Sequence, residues 1–324
     1  MGNHMKRRIN IIVTCTKRKH LPPSAGLRLR DIRTEDMDEG FATWVQHLST
    51  SKSKPTIARE LYAGDHWTVV KTLEEVASSS GLEALVWVCS AGYGLIALDT
   101  KIKPYSATFS VNDADTVCKW STPDSSKNLS RLWWQLHTQW SGPNELQPRS
   151  VKDIAAKYPD SPILVVASQP YLKAILEDVR MALRTLHDTQ LLCVISAGTN
   201  SILSIDSNLL PCNATLQAEV GGSLNSLNAR LARTILSELG ENIFKVSNLR
   251  AQFSARIATT PPLDKSKRKI MRDSEVQNFI LAALKENPRV SWTRALSKFR
   301  ESGSACSQER FAFLFKHVEP RDHT

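Results

Sequence analysis

Ile9-Asn10-Ile11-Ile12-Val13-Thr14 runs directly into Cys15-Thr16-Lys17-Arg18-Lys19-His20, a nearly continuous apolar segment that ends in a short cationic loop. The same change of character occurs three more times. Residues 85–89 pass into Ser90-Ala91-Gly92-Tyr93-Gly94, residues 163–167 into Ser168-Gln169-Pro170-Tyr171, and residues 191–195 into Ser196-Ala197-Gly198-Thr199. β-Branched runs without polar alternation, separated by helical stretches, predict parallel strands covered on both faces. Such sheets bind ligands outside the carboxyl ends of their strands. The four polar loops therefore line one crevice, and Lys17, Arg18 and Lys19 make an anionic ligand the expected one.

The chain has 324 residues, enough for a full core and a second, smaller domain. A net charge of +10 points to a polyanion such as nucleic acid rather than a small neutral substrate; a merely soluble basic surface is the alternative. Cysteines stand at 15, 89, 118, 193, 212 and 306 with no CxxC pair and no zinc-type spacing, so neither a structural metal nor another cofactor is expected. Cys89 and Cys193 fall inside predicted strands, where a thiol packs as a small apolar group. No signal-like or membrane-length apolar run precedes the first strand, which predicts a reduced, cytoplasmic protein with no membrane partner. Met1-Gly2-Asn3-His4 reads as a cloning remnant before a start at Met5.

Along the chain, residues 5–255 form the α/β domain, 256–272 a basic linker and 273–324 a trihelical domain. Residues 21–39, rich in Pro, Arg and Asp and carrying Arg28, Arg30 and Arg33, read as a long loop or flap. A helix is predicted at 41–48, and another from Thr56 with Ile57, Leu61, Val69, Val70 and Leu73 on one face. Residues 101–109 are too polar for a core strand and read as a segment folded over the crevice. Trp133 and Trp134 adjoin on a predicted helix and point about 100° apart; either one is exposed, or both are buried against different neighbours. Helices at 169–186 and 223–239 follow, the second stopping at Gly240. Beyond the linker, Val276, Phe279 and Ile280, then Ala295, Leu296 and Phe299, then Phe311, Leu314 and Phe315 mark three short helices with a Gly-containing turn before the last, a helix-turn-helix pattern. Its third helix presents Gln308 and Arg310 at its amino end, where such units read base edges; protein docking is the other use of such domains.

Three loops carry the chemistry. Hydroxyls, backbone N–H groups and cations at 15–20 suit a phosphate, although no GxxxxGK[ST] exists here; a solvated charge run is the plain alternative. Ser90-Ala91-Gly92-Tyr93-Gly94-Leu95-Ile96 lets backbone approach a flat ligand with Tyr93 as a stacking face, and a strand-to-helix turn accounts for the same residues. Glu60-Leu61-Tyr62-Ala63-Gly64-Asp65-His66-Trp67 places acids and a His beside aromatics, suited to a nucleobase drawn out of its stack; a helix end with core aromatics is the alternative. Asp99 and Asp113 are further acids within reach of the crevice, and His20 and His66 are possible proton carriers.

The succession Thr14-Cys15-Thr16-Lys17-Arg18-Lys19, Glu60-Leu61-Tyr62, Ser90 to Ile96 and Lys103-Pro104-Tyr105 resembles a family of bacterial and phage proteins, over about the first 110 residues. The layout of strands and polar loops is similar to the uracil-DNA glycosylase superfamily and the related domain of archaeosine synthase, which implies a four-stranded, mainly parallel sheet between helices. A basic chain with an added DNA-binding domain resembles, within that circle, the anti-phage DNA glycosylases that remove glucosylated hydroxymethylcytosine from viral DNA. Uracil-DNA glycosylases place an acid or Asn in a Gly-x-Asp-Pro-Tyr loop and carry a His-Pro-Ser loop; Thr14-Cys15-Thr16-Lys17 and Ser196-Ala197-Gly198-Thr199 stand here instead, so their catalytic residues do not transfer.

The resulting expectation is a DNA N-glycosylase acting on double-stranded phage DNA with modified bases, without a cofactor. Lys17, Arg18 and Lys19 contact phosphate or sugar, and Tyr93 and Tyr105 stack. Gln169 meets a base edge, and Cys15, Thr16, Tyr62, Ser90, Gly92 and Ser196 line the crevice. Asp65 or Asp99 supplies the acid, and Lys267, Arg268, Lys269, Gln308 and Arg310 hold DNA. The rivals are a hydrolase or transferase of small nucleosides or nucleotides, and a DNA-binding regulator that senses a nucleotide.

Overall fold

The computed structural model describes residues 7–120, 128–199, 201–202, 204–240, 242–261 and 269–318. Five strands form the central sheet: β1 (Arg7–Thr14), β2 (Leu82–Ser90), β3 (Gly94–Ala97), β4 (Ile163–Val166) and β5 (Leu192–Ile195), in the order β3-β2-β1-β4-β5. β2, β1, β4 and β5 are parallel, with Ile11 opposite both Val86 and Leu164, and Leu164 opposite Cys193. β1 is the central strand, and its Ile9, Ile11 and Val13 are fully buried, as a strand flanked on both edges and both faces must be.

The four predicted strands are therefore present, and β3 is an addition. Residues 94–97 were expected to belong to a loop. They pair antiparallel with β2, Leu95 opposite Cys89, because only three residues separate the two strands and a parallel return needs a crossover of a dozen or more. Ser90–Gly94 is accordingly a hairpin connection and not a strand-to-helix turn.

The chain passes from β1 to β2 on one side, then crosses to β4 and β5 on the other. Right-handed crossovers place the intervening helices on opposite faces. α1 is Met37–Thr50, capped by Asp36, whose carboxylate accepts from the amides of Asp38 and Glu39. α2 (Asp65–Val70) and α3 (Leu73–Ser79) lead into β2; α4 (Leu129–Gln139), α5 (Val151–Lys157) and α6 (Gln169–Thr185) surround β4; α7 (Leu227–Leu239) and α8 (Val246–Thr259) follow β5. α2 and α3 pack on α7, whereas α4 and α5 pack on α6. The single helix expected from Thr56 is broken into a turn at Ala58–Leu61, then α2 and α3, because Gly64 takes φ +101°, outside helical space.

Residues 21–36 are not a free flap. Leu27, Leu29 and Ile32 are buried, and backbone bonds Leu29 N to Ser106 O and Ser106 N to Leu27 O tie the segment to the one that follows β3. That second segment does fold over the carboxyl edge of the sheet, burying Ile102, Tyr105, Ala107 and Phe109. Lys103 Nζ anchors it by donating to the Leu48 carbonyl (2.7 Å) at the end of α1, where a helix favours a cation. Trp133 and Trp134 are both buried, against different neighbours.

The chain divides into two compact units, Met1–Pro262 and Leu263–Thr324. The expected linker overlaps the first unit, because Arg256 lies within α8 and pairs with Glu219 and Glu238 (2.7 and 2.6 Å). In the second unit α9 (Asp273–Glu286), α10 (Trp292–Glu301) and α11 (Gln308–His317) enclose Val276, Ile280, Ala295, Leu296, Phe299 and Phe311. A short parallel ribbon joins Lys269–Ile270 to Ser304–Ala305. Among the described residues no helix is long and apolar enough to cross a membrane.

Candidate functional site at the carboxyl edge of the sheet

The loops after β1 and β4 leave the sheet in opposite directions, so the switch point of the sheet lies between those two strand ends, the usual ligand position in open α/β folds. The β1 loop first extends the ladder by one bond, Cys15 N to Cys89 O (3.0 Å). It then turns and is pinned to the Glu60–Ala63 region: His20 N donates to Leu61 O (2.8 Å) and Ala63 N to Arg18 O (2.9 Å). This pinning sorts the loop's side chains. Cys15 is buried, Lys19 is half-buried, and Lys17 and Arg18 are exposed.

Beneath the loop lies a buried polar cluster. Tyr105 Oη is 2.7 Å from Ser90 Oγ and 2.8 Å from Tyr62 Oη, and Ser90 Oγ also accepts from the amides of Gly92 (3.2 Å) and Tyr93 (3.1 Å). Cys15 Sγ is 3.2 Å from Tyr171 Oη, which bridges the β1 loop to α6. Burial pushes the hydroxyls of Tyr62, Tyr105 and Tyr171 far above the ordinary phenol range, so they remain neutral donors. Lys19 Nζ lies 4.4 Å from the ring centre of Tyr105 and 5.5 Å from that of Tyr62, and donates to Thr16 O (3.2 Å). Burial pulls the Lys19 pKa down, against the opposing influence of Cys15, Asp113 and Asp115.

Two acids stand beside Lys19. Asp113 pairs with Lys17 (2.7 Å), and Asp115 takes a two-point bond from Arg30 (2.7 Å each) and one from Ser106 Oγ (2.7 Å). Burial disfavours both carboxylates. These partners outweigh it, lowering Asp113 and bringing Asp115 to about 2.

The hairpin that carries Ser90 is braced carbonyl by carbonyl. Ala91 O accepts from Trp133 Nε1 (2.7 Å) and His137 Nε2 (3.1 Å), Gly92 O from Trp44 Nε1 (2.8 Å), and Tyr93 O from Arg149 (2.6 Å), which also reaches Leu95 O. Burial and the Arg149 charge bring His137 down to about 3. The imidazole is therefore neutral, with its one proton on Nε2 facing the carbonyl. Gly92 has no room for a side chain: a Cβ there would lie 2.4 Å from two ring carbons of Tyr105. Trp44, Trp133, His137 and Arg149 were not singled out from the sequence as parts of the site. Trp133 and His137 fall in a Trp-rich stretch, residues 112–147, but nothing in the sequence shows that two helices and a loop converge on one turn.

The structure brings Cys15, Lys19, Tyr62, Ser90 and Tyr105 together, with Gly92 and Tyr93 in the adjoining turn. Tyr93 and Tyr105 were expected to offer stacking faces. Both rings are buried and meet edge to face at 5.2 Å, and Tyr93 Oη accepts from Lys103 N (2.9 Å). Thr16 is half-buried and donates to Arg18 O (2.9 Å). Gln169 is exposed at the start of α6, and Ser196 is buried beyond β5, accepting from Thr199 Oγ1 (3.0 Å).

Of the acids named from the sequence, Asp113 stands beside Lys19, whereas the two favoured ones, Asp65 and Asp99, lie apart from this cluster. Asp65 binds Ser226 Oγ (2.6 Å), Ser223 Oγ (2.7 Å) and Arg230 (3.0 Å), which tie α2 to α7; the serine bonds lead in lowering it to about 2. Asp99 is exposed, pairs with Arg59 (2.9 Å), and follows β3 well below the strand ends. Asp113 and Asp115 are the carboxylates facing Lys19. His66 is half-buried near the Thr14 carbonyl, and burial pulls its pKa down. His20 is exposed.

In the second unit Gln308 and Lys269 are exposed. Arg310 is held by Asp273 (2.6 Å) and the Met271 carbonyl (2.9 Å), so its guanidinium braces α11 against the start of α9. Lys267 and Arg268 lie outside the described residues. Among the described residues no group of three or more His, Cys, Asp or Glu is placed to hold a metal. The chain matches no family model, and no curated protein or solved structure matches it.

Proposed function

We propose that this protein is a DNA N-glycosylase that takes a modified base from duplex DNA and cleaves its bond to the sugar. The observation that carries the reading is the cationic loop after β1, which exposes Lys17 and Arg18, sets Lys19 over the buried hydroxyls of Tyr62 and Tyr105, and pairs Lys17 with an ionised Asp113. Cations there suit the phosphates on either side of an extruded nucleotide. As the C1′–N bond lengthens, positive charge grows on the sugar and the Asp113 carboxylate opposes it. The departing base keeps the electron pair of the broken bond, and Lys19 supplies it with a proton. Water then adds to C1′. The braced hairpin keeps these donors fixed while the charges move, which is where preorganisation lowers a barrier. The sequence resemblance supplies the substrate class, cytosines carrying a glucosylated hydroxymethyl group in phage DNA. Lys285, Arg289, Arg294 and Lys316 of the trihelical unit are exposed and available to DNA phosphates.

The test is incubation of the full-length protein with unmodified duplex and with duplex carrying glucosylated hydroxymethylcytosine, followed by detection of abasic sites. Abasic product is expected from the modified duplex. D113N should bind this DNA at least as tightly, since Lys17 is released from its partner, while base release falls by about 10²–10³. Salt-dependent binding without abasic product from either duplex would overturn the proposal in favour of a regulator.

A further inference from the structure

We infer that Lys19 is a nucleophilic amine that forms an imine with the C1′ aldehyde of an abasic deoxyribose held at the carboxyl edge of the sheet. The inference takes its substrate from the DNA reading above and adds a covalent step to it. Three observations carry it. First, both carboxylates near Lys19 are engaged by other cations, Asp113 by Lys17 at 2.7 Å and Asp115 by Arg30 at 2.7 Å, so neither is reserved for the Lys19 ammonium. Second, Nζ is set over two tyrosine rings and, among the described residues, donates to one backbone acceptor, Thr16 O, at 3.2 Å; this position removes water from the amine and lowers its proton affinity. Third, the backbone on both sides of Lys19 is fixed by the Arg18–Ala63 and His20–Leu61 bonds, so the amine is aimed at the strand ends instead of sweeping through solvent. Desolvation of the amine is how proteins make lysine a nucleophile near neutral pH.

The step balances without any oxidant or reductant. Once the proton of Lys19 has gone to the departing base, the Nζ lone pair adds to C1′ of the ring-opened sugar and the carbonyl π electrons move to oxygen. A proton passes from nitrogen to that oxygen, and after a second protonation it leaves as water while the nitrogen lone pair forms the C=N bond. Hydrolysis reverses the sequence and returns free Lys19.

The experiment uses the full-length protein and a duplex in which an abasic site has been prepared beforehand, with cyanoborohydride present to reduce any imine to a stable amine. A covalent protein–DNA adduct is expected, and peptide mapping should place it on Lys19. K19R keeps the charge over the tyrosine rings but has no nucleophilic amine, and adduct yield should fall at least tenfold. No adduct with saturating DNA, or an adduct mapped to another amine, overturns the inference. Mapping on the parent protein decides the matter even if K19R fails to fold. Because the abasic site is made in advance, the two proposals fail separately: base release without an imine overturns the lysine role alone, and an imine without base release overturns the glycosylase reading alone.

Discussion

Replacing Gly92 by Ala should be among the most damaging one-carbon changes in this protein. The added methyl would lie 2.4 Å from Cδ2 and from Cε2 of Tyr105, whereas apolar carbons rest at about 3.5–4.0 Å. The ring must therefore move by about 1 Å, yet it has nowhere to go. It is buried among Trp44, Tyr62 and Tyr93, with its hydroxyl held by Ser90 and Tyr62. Overpacking of this kind costs about 1–3 kcal/mol, and each hydrogen bond lost adds about 1 kcal/mol. A total of about 2–4 kcal/mol follows, or a fall in Tm of roughly 5–15 °C. Urea unfolding of G92A, Y105A and the double variant isolates the contact. With the ring removed, the three atoms nearest the methyl added by G92A are gone, so this change should cost much less in the Y105A background. An equal cost in both backgrounds, or G92A melting like the parent protein, would refute the close packing of this turn on Tyr105 and with it the argument for a rigid site.

Arg149 donates to the carbonyls of Tyr93, Leu95 and Trp140; R149M should cost about 3–5 kcal/mol in urea unfolding because it strands buried acceptors, and a loss below about 1 kcal/mol would remove it as the hairpin's brace. Asp178 accepts from the amides of Val151 (2.7 Å) and Lys152 (2.9 Å), and burial raises it from 3.8 to about 6. The folded protein therefore holds this proton to higher pH than the unfolded chain does, so the Asp178 contribution to stability should decline as pH rises from about 4 to about 6. The stability difference between parent and D178N should change across that window, and a constant difference would contradict it. Residues 7–261 hold their own core and should unfold cooperatively alone, but with weaker duplex binding and a flatter salt dependence; equal affinity and slope would assign the trihelical unit to another role.

The sheet was legible in the sequence because a central parallel strand has no wet face. Residues 9–14, 85–89, 163–167 and 191–195 could hardly be anything but buried strands, and each ended where its polar loop began. The three C-terminal helices were equally plain, since apolar residues at helical spacing leave only one face to bury. The short strand Gly94–Ala97 was not legible: four residues after a turn carry no period, and only their pairing with β2 decides that they are strand. Pairing across the sheet also decided the order of strands, and with it which two loops flank the switch point.

Within the site, composition marked the loops and tertiary structure assigned their side chains. Lys17, Arg18 and Lys19 are indistinguishable as a run of cations, yet the bonds from His20 to Leu61 and from Ala63 to Arg18 turn Lys19 inward and leave the other two in solvent. Aspartates are equally alike in a sequence. Asp65 and Asp99 were favoured because they adjoin recognisable motifs, while Asp113 and Asp115 reach Lys19 only because the segment after Tyr105 folds back over the strand ends. An acid's role depends on which charges surround it, and that is set by contacts between residues far apart in the chain. The sequence alone determined the parallel strands, the cationic loop and the separate helical unit, because each follows from local periodicity or local composition. The buried hydroxyl cluster, the braced hairpin and the choice of carboxylate were decided by long-range packing, for which local pattern holds no signal.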